Sequence, residues 1–164
     1  MAKTNTRTVV FEASPEHLLE VLTNGDFQER QRKLDDAVVD SKFVEIKRDD
    51  DRLVFELRST EYERGMTGLN KKKTVQSVTR AEWDLRARKS TWTYSSPSYK
   101  LFTLSGAHRI EAAGDKARLV SDFTVEVKMP LVGGKIEKMI VDGMGKGRES
   151  YDQLVRSELK KMAQ

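Results

Sequence analysis

Two histidines are the only imidazole groups that this sequence offers for acid–base chemistry. His108 is the only titratable residue on the apolar face of its own predicted strand, whereas His17 falls in the exposed first turn of a predicted helix. A histidine like His108 fits three roles: a hydrogen-bonded core residue, a pocket residue that binds a ligand's hydroxyl or carboxylate, or a general acid or base. No partner can be assigned to it from the sequence, so we predict no catalytic residue.

Hydroxyl groups share the predicted inner face with this histidine. Ser77, Thr79 and Ser121 alternate with apolar residues, and buried hydroxyls need hydrogen-bond partners. They either bond to neighbouring strands or supply the few polar contacts that orient an apolar ligand. The aromatic side chains that either wall a cavity or fill a core are Trp83, Trp92, Tyr94 and Phe123.

Three glycines interrupt the last predicted helix, although each costs about 1 kcal/mol relative to alanine in a helix interior. Gly143 and Gly147 are four residues apart, with Gly145 between them, and they lie on the stripe expected to face the rest of the protein. They either allow close packing against Trp83 or Phe123 or leave space for a ligand.

Two other motifs point away from phosphate and cation sites. The glycine-rich run at 143–148 follows no strand and lacks the spacing of a phosphate-binding loop. The acidic run Asp49-Asp50-Asp51 lacks the spaced ligands of a calcium loop and is typical of a solvated turn.

Composition excludes several classes of site. The 164 residues contain no cysteine, which removes disulfides, thiol catalysis and cysteine-ligated zinc, and two histidines are too few for a multi-histidine metal centre. We therefore predict no metal and no cofactor. Apolar runs reach only three residues and the N-terminus has no apolar signal region, so we expect one soluble cytoplasmic domain over residues 1–164.

The basic charge is small and dispersed. Lys plus Arg total 30 against 26 Asp plus Glu, and the basic clusters lie among acidic neighbours, which disfavours nucleic acid as a partner. Lys71, Lys72 and Lys73 fall in a predicted basic loop that begins at Arg64-Gly65-Met66. This loop is either simply solvated or meets an anionic membrane weakly and transiently, at about 1 kcal/mol per basic residue.

The elements follow from periodicity and caps. Ser14-Pro15-Glu16 predicts a helix start, and Asp26 with Glu29 resembles a capping box for a second short helix. Period-two alternation then predicts strands, and period 3.6 returns in a final helix. The predicted strands are 4–13, 37–47, 52–62, 74–88, 90–95, 101–113 and 117–129, and the final helix is 135–163. The predicted class is α+β: a curved seven-stranded antiparallel sheet, in the order β-α-α-β6-α, wrapped around one long C-terminal helix.

This order resembles the START-like, or Bet v 1-like (SRPBCC), helix-grip superfamily over the whole chain. The passage of the last strand through Pro and Gly into the helix, FTVEVKMPLVGGKIE at 123–137, carries the resemblance best and is similar to an uncharacterised bacterial subfamily. The resemblance implies a hydrophobic tunnel between sheet and helix that holds lipids, sterols, polyketides or other apolar molecules.

The first hypothesis is therefore binding, sequestration or transfer of an apolar ligand such as a fatty acid, phospholipid or isoprenoid. Met139 and Met144 are adaptable side chains that suit such a pocket and suit a core equally well. The predicted ligand contacts are Phe55, Leu57, Ser77, Trp83, Leu104, His108, Ser121, Phe123, Met139, Gly143, Met144 and Gly147. The alternatives are a cyclase or hydrolase that uses His108 in the same cavity, and a basic protein- or RNA-interaction module.

Overall fold

Seven strands form one antiparallel sheet in the order β1-β7-β6-β5-β4-β3-β2. The computed structural model describes residues 2–65 and 67–163. The elements are β1 Lys3–Phe11, α1 Pro15–Leu22, α2 Gly25–Arg32, β2 Val38–Arg48, β3 Arg52–Gly65, β4 Gly68–Asp84, β5 Lys89–Ser95, β6 Phe102–Ala113, β7 Lys116–Val127, α3 Gly133–Lys146 and α4 Arg148–Met162. The predicted α+β helix-grip architecture is confirmed.

Local capping sets where the two short helices begin. The Ser14 hydroxyl accepts a hydrogen bond in the first turn of α1, with Pro15 at the first helical position, as predicted. The second start is wrong by two residues: Asn24, not Asp26, is the cap, and its side-chain oxygen accepts from the N–H of Phe27 at 2.9 Å. The reason is that the glycine after Asn24 already belongs to α2, so Asp26 lies inside the first turn.

The predicted inner face of the sheet is confirmed where the strands pair. On β6 His108 lies opposite Ser90 of β5 and Ser121 of β7, so the three side chains share one face. The β4–β5 connection is a turn in which Arg88 adopts a left-handed φ of 55°. After this turn the residues of β5 alternate in the same phase as those of β4, because Ser90 pairs with Trp83. The residues predicted to face inward on β6 and β7 therefore do so.

The basic stretch lies in a strand, which corrects one prediction. The pairing of β3 with β4 continues past an irregularity after Tyr62 to Gly65 opposite Gly68, so Lys71, Lys72 and Lys73 belong to β4 and not to a loop. Met66, part of the predicted loop, lies outside the described residues.

The C-terminal helix is bent, which corrects the prediction of one uninterrupted helix. It divides at Gly147 into α3 and α4. Glycine has the lowest helix propensity of all residues except proline. Three glycines within five positions therefore lower the local stability of the helix where its direction changes. No helix in the described part of the chain is long and apolar enough to cross a membrane.

The apolar core lies at the end of the sheet that α1, α2 and α4 cover. Its buried members are Phe11, Leu18, Val21, Leu22, Phe27, Leu53, Phe55, Leu57, Ala81, Trp83, Ile110, Ala117, Leu119, Val155 and Leu159. The start of α3 is attached separately to β7. Glu137 is buried and its Oε2 accepts from the N–H of Val127 at 2.8 Å, while Gly133 lies so close to the Val127 carbonyl that no side chain fits there.

Candidate functional site

Three of the predicted ligand contacts belong to the packed core. Phe55, Leu57 and Trp83 are almost fully buried and pack in one cluster with residues of α1 and α4. Side chains with so little accessible surface offer a ligand almost no contact area in this structure. We therefore reassign these three residues from ligand contact to core packing, because the helices cover this end of the concave face.

The middle of the concave face carries an aromatic platform. Trp92 and Phe123 are half-buried, and their rings stack with centroids 5.9 Å apart and planes inclined by 26°. Gly106 lies between them on β6, paired with Trp92 on one side and Phe123 on the other. A Cβ atom at Gly106 would overlap the Trp92 indole, so only glycine allows the indole to lie flat across the strand.

Gly106 was not among the predicted contacts, although a signal was present. A lone glycine inside an alternating strand marks a bulge or a close approach. Its apolar neighbour in the next row is Leu104, a predicted contact that is half-buried opposite Tyr94 of β5 and Val125 of β7. The platform therefore extends along β6 as a continuous, mainly apolar strip.

The last turns of α3 are exposed to solvent. Met139 and Met144 are each 47% exposed, and Gly143 and Gly147 are exposed as well. A Cβ atom at Gly143 would meet no other atom within 4 Å, so close packing of this glycine against Trp83 or Phe123, one of the two predicted alternatives, is wrong. This part of α3 is therefore largely open to solvent.

A polar pair borders the platform. Nδ1 of His108 lies 2.8 Å from the Ser121 hydroxyl, and the imidazole stacks parallel to the Trp83 indole at 6.3 Å. Burial, with a contribution from the nearby Arg7 guanidinium, lowers the pKa of His108 to about 4. The ring is thus neutral at pH 7, where it donates or accepts hydrogen bonds but carries no positive charge for a carboxylate.

The Arg7 guanidinium is itself held by an acid. It donates two hydrogen bonds to Asp152 of α4, at 2.8 and 2.7 Å, and lies over the Tyr151 ring. Two parallel N–H···O bonds fix the orientation of both groups. The charge next to His108 is therefore compensated, and this contact also ties β1 to α4.

A buried carboxylate at the far edge of the face was missed by the sequence argument. Glu61 is fully buried and accepts hydrogen bonds from Arg32 (2.9 Å), Arg64 (3.2 Å) and the Tyr94 hydroxyl (2.7 Å). Burial alone would raise the pKa of Glu61, but Arg32, Tyr94 and Arg64 outweigh it and keep that pKa below its usual value. The signal was the alternation itself, which places Glu61 on the inner face two residues after Ser59.

Ser77 lies beside this cluster and not on the platform. Its buried hydroxyl helps to lower the pKa of Glu61, although it lies too far from the carboxylate for a regular hydrogen bond. We therefore place Ser77 with the Glu61 cluster rather than with the apolar strip.

The geometry of the described residues does not support a metal site, either in a cluster of ligands or at the acidic turn Asp49–Asp51. Among residues 2–65 and 67–163, no three histidine or acidic side chains lie close enough together to hold a metal ion. A depression of about 500 Å³ lies at the turns after β2 and β4 and is lined by Asp51, Arg52, Asp84, Arg86 and Ala87. The Asp49 side chain accepts hydrogen bonds from the N–H groups of Asp51 and Arg52, as in an ordinary turn.

Comparison with known proteins places the chain in a family without an assigned activity. The family model described as "Protein of unknown function (DUF2505)" matches residues 6–157. No curated protein matches.

Solved structures share the fold at low sequence identity. The protein TTHA0849 from Thermus thermophilus has a TM-score of 0.64 at 16% identity, with all of both chains covered. The Zhui aromatase/cyclase from Streptomyces sp. R1128 has a TM-score of 0.68 at 12% identity, covering 100% of this chain and 97% of its own. A START superfamily protein from Mycobacterium smegmatis has a TM-score of 0.58 at 16% identity, covering 97% and 98%. At these identities the likeness establishes the helix-grip fold and nothing further.

Proposed function

We propose that this chain, which belongs to the DUF2505 family, binds an apolar small molecule in the cleft between the concave face of the sheet and α3. One observation carries the proposal: the stacked pair of Trp92 and Phe123 lies on the concave face and is only half-buried, so part of its aromatic surface is accessible. An apolar concavity with a few polar groups at its border is the usual form of a small-molecule site.

The contacts follow from what borders the platform. Leu104 and Phe123 would meet the ligand body from the sheet, and the flexible Met139 and Met144 would meet it from α3. Gly143, between these methionines, and Gly147, one turn after the first glycine, would leave room for the ligand. Each Å² of apolar surface removed from water contributes about 25 cal/mol, so covering the exposed parts of these side chains supplies the driving force.

The polar border favours an uncharged ligand group. With Nδ1 engaged by Ser121, the other ring nitrogen of His108 is the one that can reach a ligand. Because His108 is neutral at pH 7, it suits a hydroxyl, carbonyl or ester better than a carboxylate. Among the ligand classes expected from the sequence, an isoprenoid alcohol or an ester lipid fits this chemistry better than a free fatty acid.

Native mass spectrometry of the purified protein, followed by organic extraction, tests whether such a molecule co-purifies. A direct binding test uses the neutral apolar dye Nile red, titrated into the chain and into Gly106→Ala. The added methyl group displaces the indole and breaks the platform, so we expect at least tenfold weaker binding. Gly134→Ala is the matched control, since its Cβ meets nothing within 4 Å. Equal affinity in all three proteins would refute the site.

An enzyme that acts in the same cleft is the second candidate, favoured by the 2.8 Å contact between His108 and Ser121. A cyclase or hydrolase would use His108 as acid or base, but the low pKa of this residue leaves it a weak base at pH 7. His108→Ala separates the two functions: a carrier keeps most of its affinity for the extracted ligand, whereas an enzyme loses turnover of it.

Transfer of an apolar ligand also requires contact with a membrane. Lys71, Lys72 and Lys73 are exposed in the first part of β4, and we include them in the proposal as a weak, transient contact with anionic headgroups. Only Lys73 among them forms an ion pair in the described part of the chain, with Glu63 at 3.0 Å.

A further inference from the structure

The turn between β7 and α3 presents an apolar side chain directly to solvent. Leu131 is fully exposed, and its backbone has a φ of 69°, in the left-handed region that residues with a bulky side chain rarely adopt. The next residue, Val132, is 42% exposed. A leucine that is held outward on an unfavourable backbone conformation buries no apolar surface against the rest of the fold. Its position therefore indicates a partner outside the fold.

Two neighbouring connections add exposed leucines at the same end of the molecule. The N–H of Lys128 donates to the carbonyl of Leu101 at 2.9 Å, which brings the β5–β6 connection against the β7–α3 turn. The N–H of Arg64 donates to the Tyr99 hydroxyl at 2.8 Å, which attaches the β3–β4 hairpin to the same connection. We call the exposed apolar residues of these three adjacent segments the loop end: Leu69, Leu101, Leu131 and Val132.

Basic side chains surround the loop end. They are Lys71, Lys72, Lys100, Lys128 and Lys135, all exposed, and none of them forms an ion pair with the described part of the chain. Two of the acids nearby already have partners, since Glu63 pairs with Lys73 and Glu61 pairs with Arg32 and Arg64. Glu126, two residues before Lys128, is a further acid at this end. The loop end therefore combines protruding aliphatic side chains with an excess of positive charge.

We infer that the loop end docks on an anionic lipid bilayer, with Leu131 and Leu101 entering the interface and the five lysines meeting the headgroups. Aliphatic tips within a basic rim match the layering of an interface, where apolar groups enter the acyl boundary and cations remain at the anionic surface. A single-stranded nucleic acid would be expected to meet exposed aromatic side chains beside the lysines. The aromatic pair at this end, Tyr99 and Phe102, is half-buried, and the exposed apolar residues are aliphatic.

This docking extends the proposed contact of Lys71, Lys72 and Lys73, and it requires no bound ligand. Phe102 and Val127 pair in the row of the sheet nearest the loop end, and Leu104 of the apolar strip follows two residues after Phe102. The bilayer would therefore meet the molecule at the end from which the strip on β6 begins.

Vesicle co-sedimentation of the full chain tests the inference. Phosphatidylcholine vesicles are compared with vesicles of 7:3 phosphatidylcholine to phosphatidylserine at low ionic strength. We expect partitioning at least tenfold stronger to the anionic vesicles, since each lysine at the surface contributes roughly fivefold. The double substitution Leu101→Ser with Leu131→Ser should lower partitioning at least tenfold. Its control is Ile46→Ser, a similarly exposed residue on the edge strand β2.

Charge is tested separately. Substitution of Lys100, Lys128 and Lys135 by Gln should lower partitioning to anionic vesicles at least tenfold, whereas Lys42→Gln with Lys89→Gln should change it less than twofold. All five side chains are exposed, so a thermal unfolding curve that matches the unaltered protein confirms that each variant is folded.

Three results would overturn the inference: equal partitioning to neutral and anionic vesicles, full partitioning after the double leucine substitution, or binding to an RNA oligonucleotide in place of vesicles. Gly106→Ala should retain vesicle partitioning while it loses Nile red. Failure of the dye-binding test therefore leaves the membrane inference standing, and the reverse holds as well.

Discussion

Lowering the pH from 7 to 5 should weaken the fold through His108. In the folded protein the pKa of this residue is lowered to about 4, whereas its ordinary value, which applies to the unfolded chain, is 6.5. Below pH 6.5 His108 binds a proton in the unfolded chain but stays unprotonated in the folded protein. The stabilising contribution of His108 is therefore fully present above pH 6.5 and is lost as the pH falls towards 4. The full gap corresponds to about 3 kcal/mol.

Most of this loss falls in a window where other groups contribute little. Between pH 7 and 5 the linkage amounts to up to about 2 kcal/mol. The buried Glu61 and the partly exposed Asp35 also have lowered pKa values, from ordinary values of 4.5 and 3.8, so their stabilisation is lost only at lower pH. A domain of this size typically has a free energy of unfolding of about 5–15 kcal/mol, and a change of 2 kcal/mol is readily measured.

Urea unfolding followed by tryptophan fluorescence at pH 7, 6 and 5 measures the effect. His108→Asn keeps a hydrogen-bonding group near Ser121 but cannot titrate, so its free energy of unfolding should stay nearly constant over this range. Ser121→Ala is the control, because it removes the hydrogen bond and retains the buried imidazole. The reasoning is refuted if His108→Asn and the unaltered protein lose equal stability, or if an NMR titration gives His108 a pKa above 6.

Further substitutions test the packing around the site. Glu61→Gln removes the charge that faces Arg32 inside the protein and should cost about 3 kcal/mol in chemical denaturation; a loss below 1 kcal/mol would show that the carboxylate is not needed. Gly143→Ala should raise the free energy of unfolding by about 1 kcal/mol, because the added methyl group meets only solvent; destabilisation would contradict the free space around this glycine. Gly133→Ala should lower the melting temperature, because its methyl group would overlap the Val127 carbonyl, and an unchanged melting curve would count against this attachment of α3.

Local patterns in the sequence predicted most of the architecture. Alternation with period two placed His108, Ser121 and Phe123 on the inner face, and Ser14 with Pro15 marked the start of α1. These signals can be read from the sequence because they are local. Successive side chains of a strand point to opposite faces, and a helix-capping side chain bonds to an N–H group within the next three residues. The element order, and with it the helix-grip fold, followed from such local rules.

Partners distant in the chain could not be read in this way. Glu61 is held by Arg32, 29 residues away on α2, and Trp92 lies across Gly106 of the next strand. Alternation indicated only that these residues point inward. Which groups they meet depends on sheet register and on how α2 packs against the sheet, and neither is encoded within a few residues.

The same limit governs which inner residues can meet a ligand. By itself the sequence determined the fold, the inner face and the absence of thiol chemistry, because composition, parity and capping are local properties. Only the tertiary structure decided that Trp83 is core while Trp92 stays half-buried on the same face, since the bend at Gly147 directs α4 onto one end of the sheet and leaves much of α3 exposed. Burial is a property of the whole packed surface, and identical side chains line a core or a site according to what covers them.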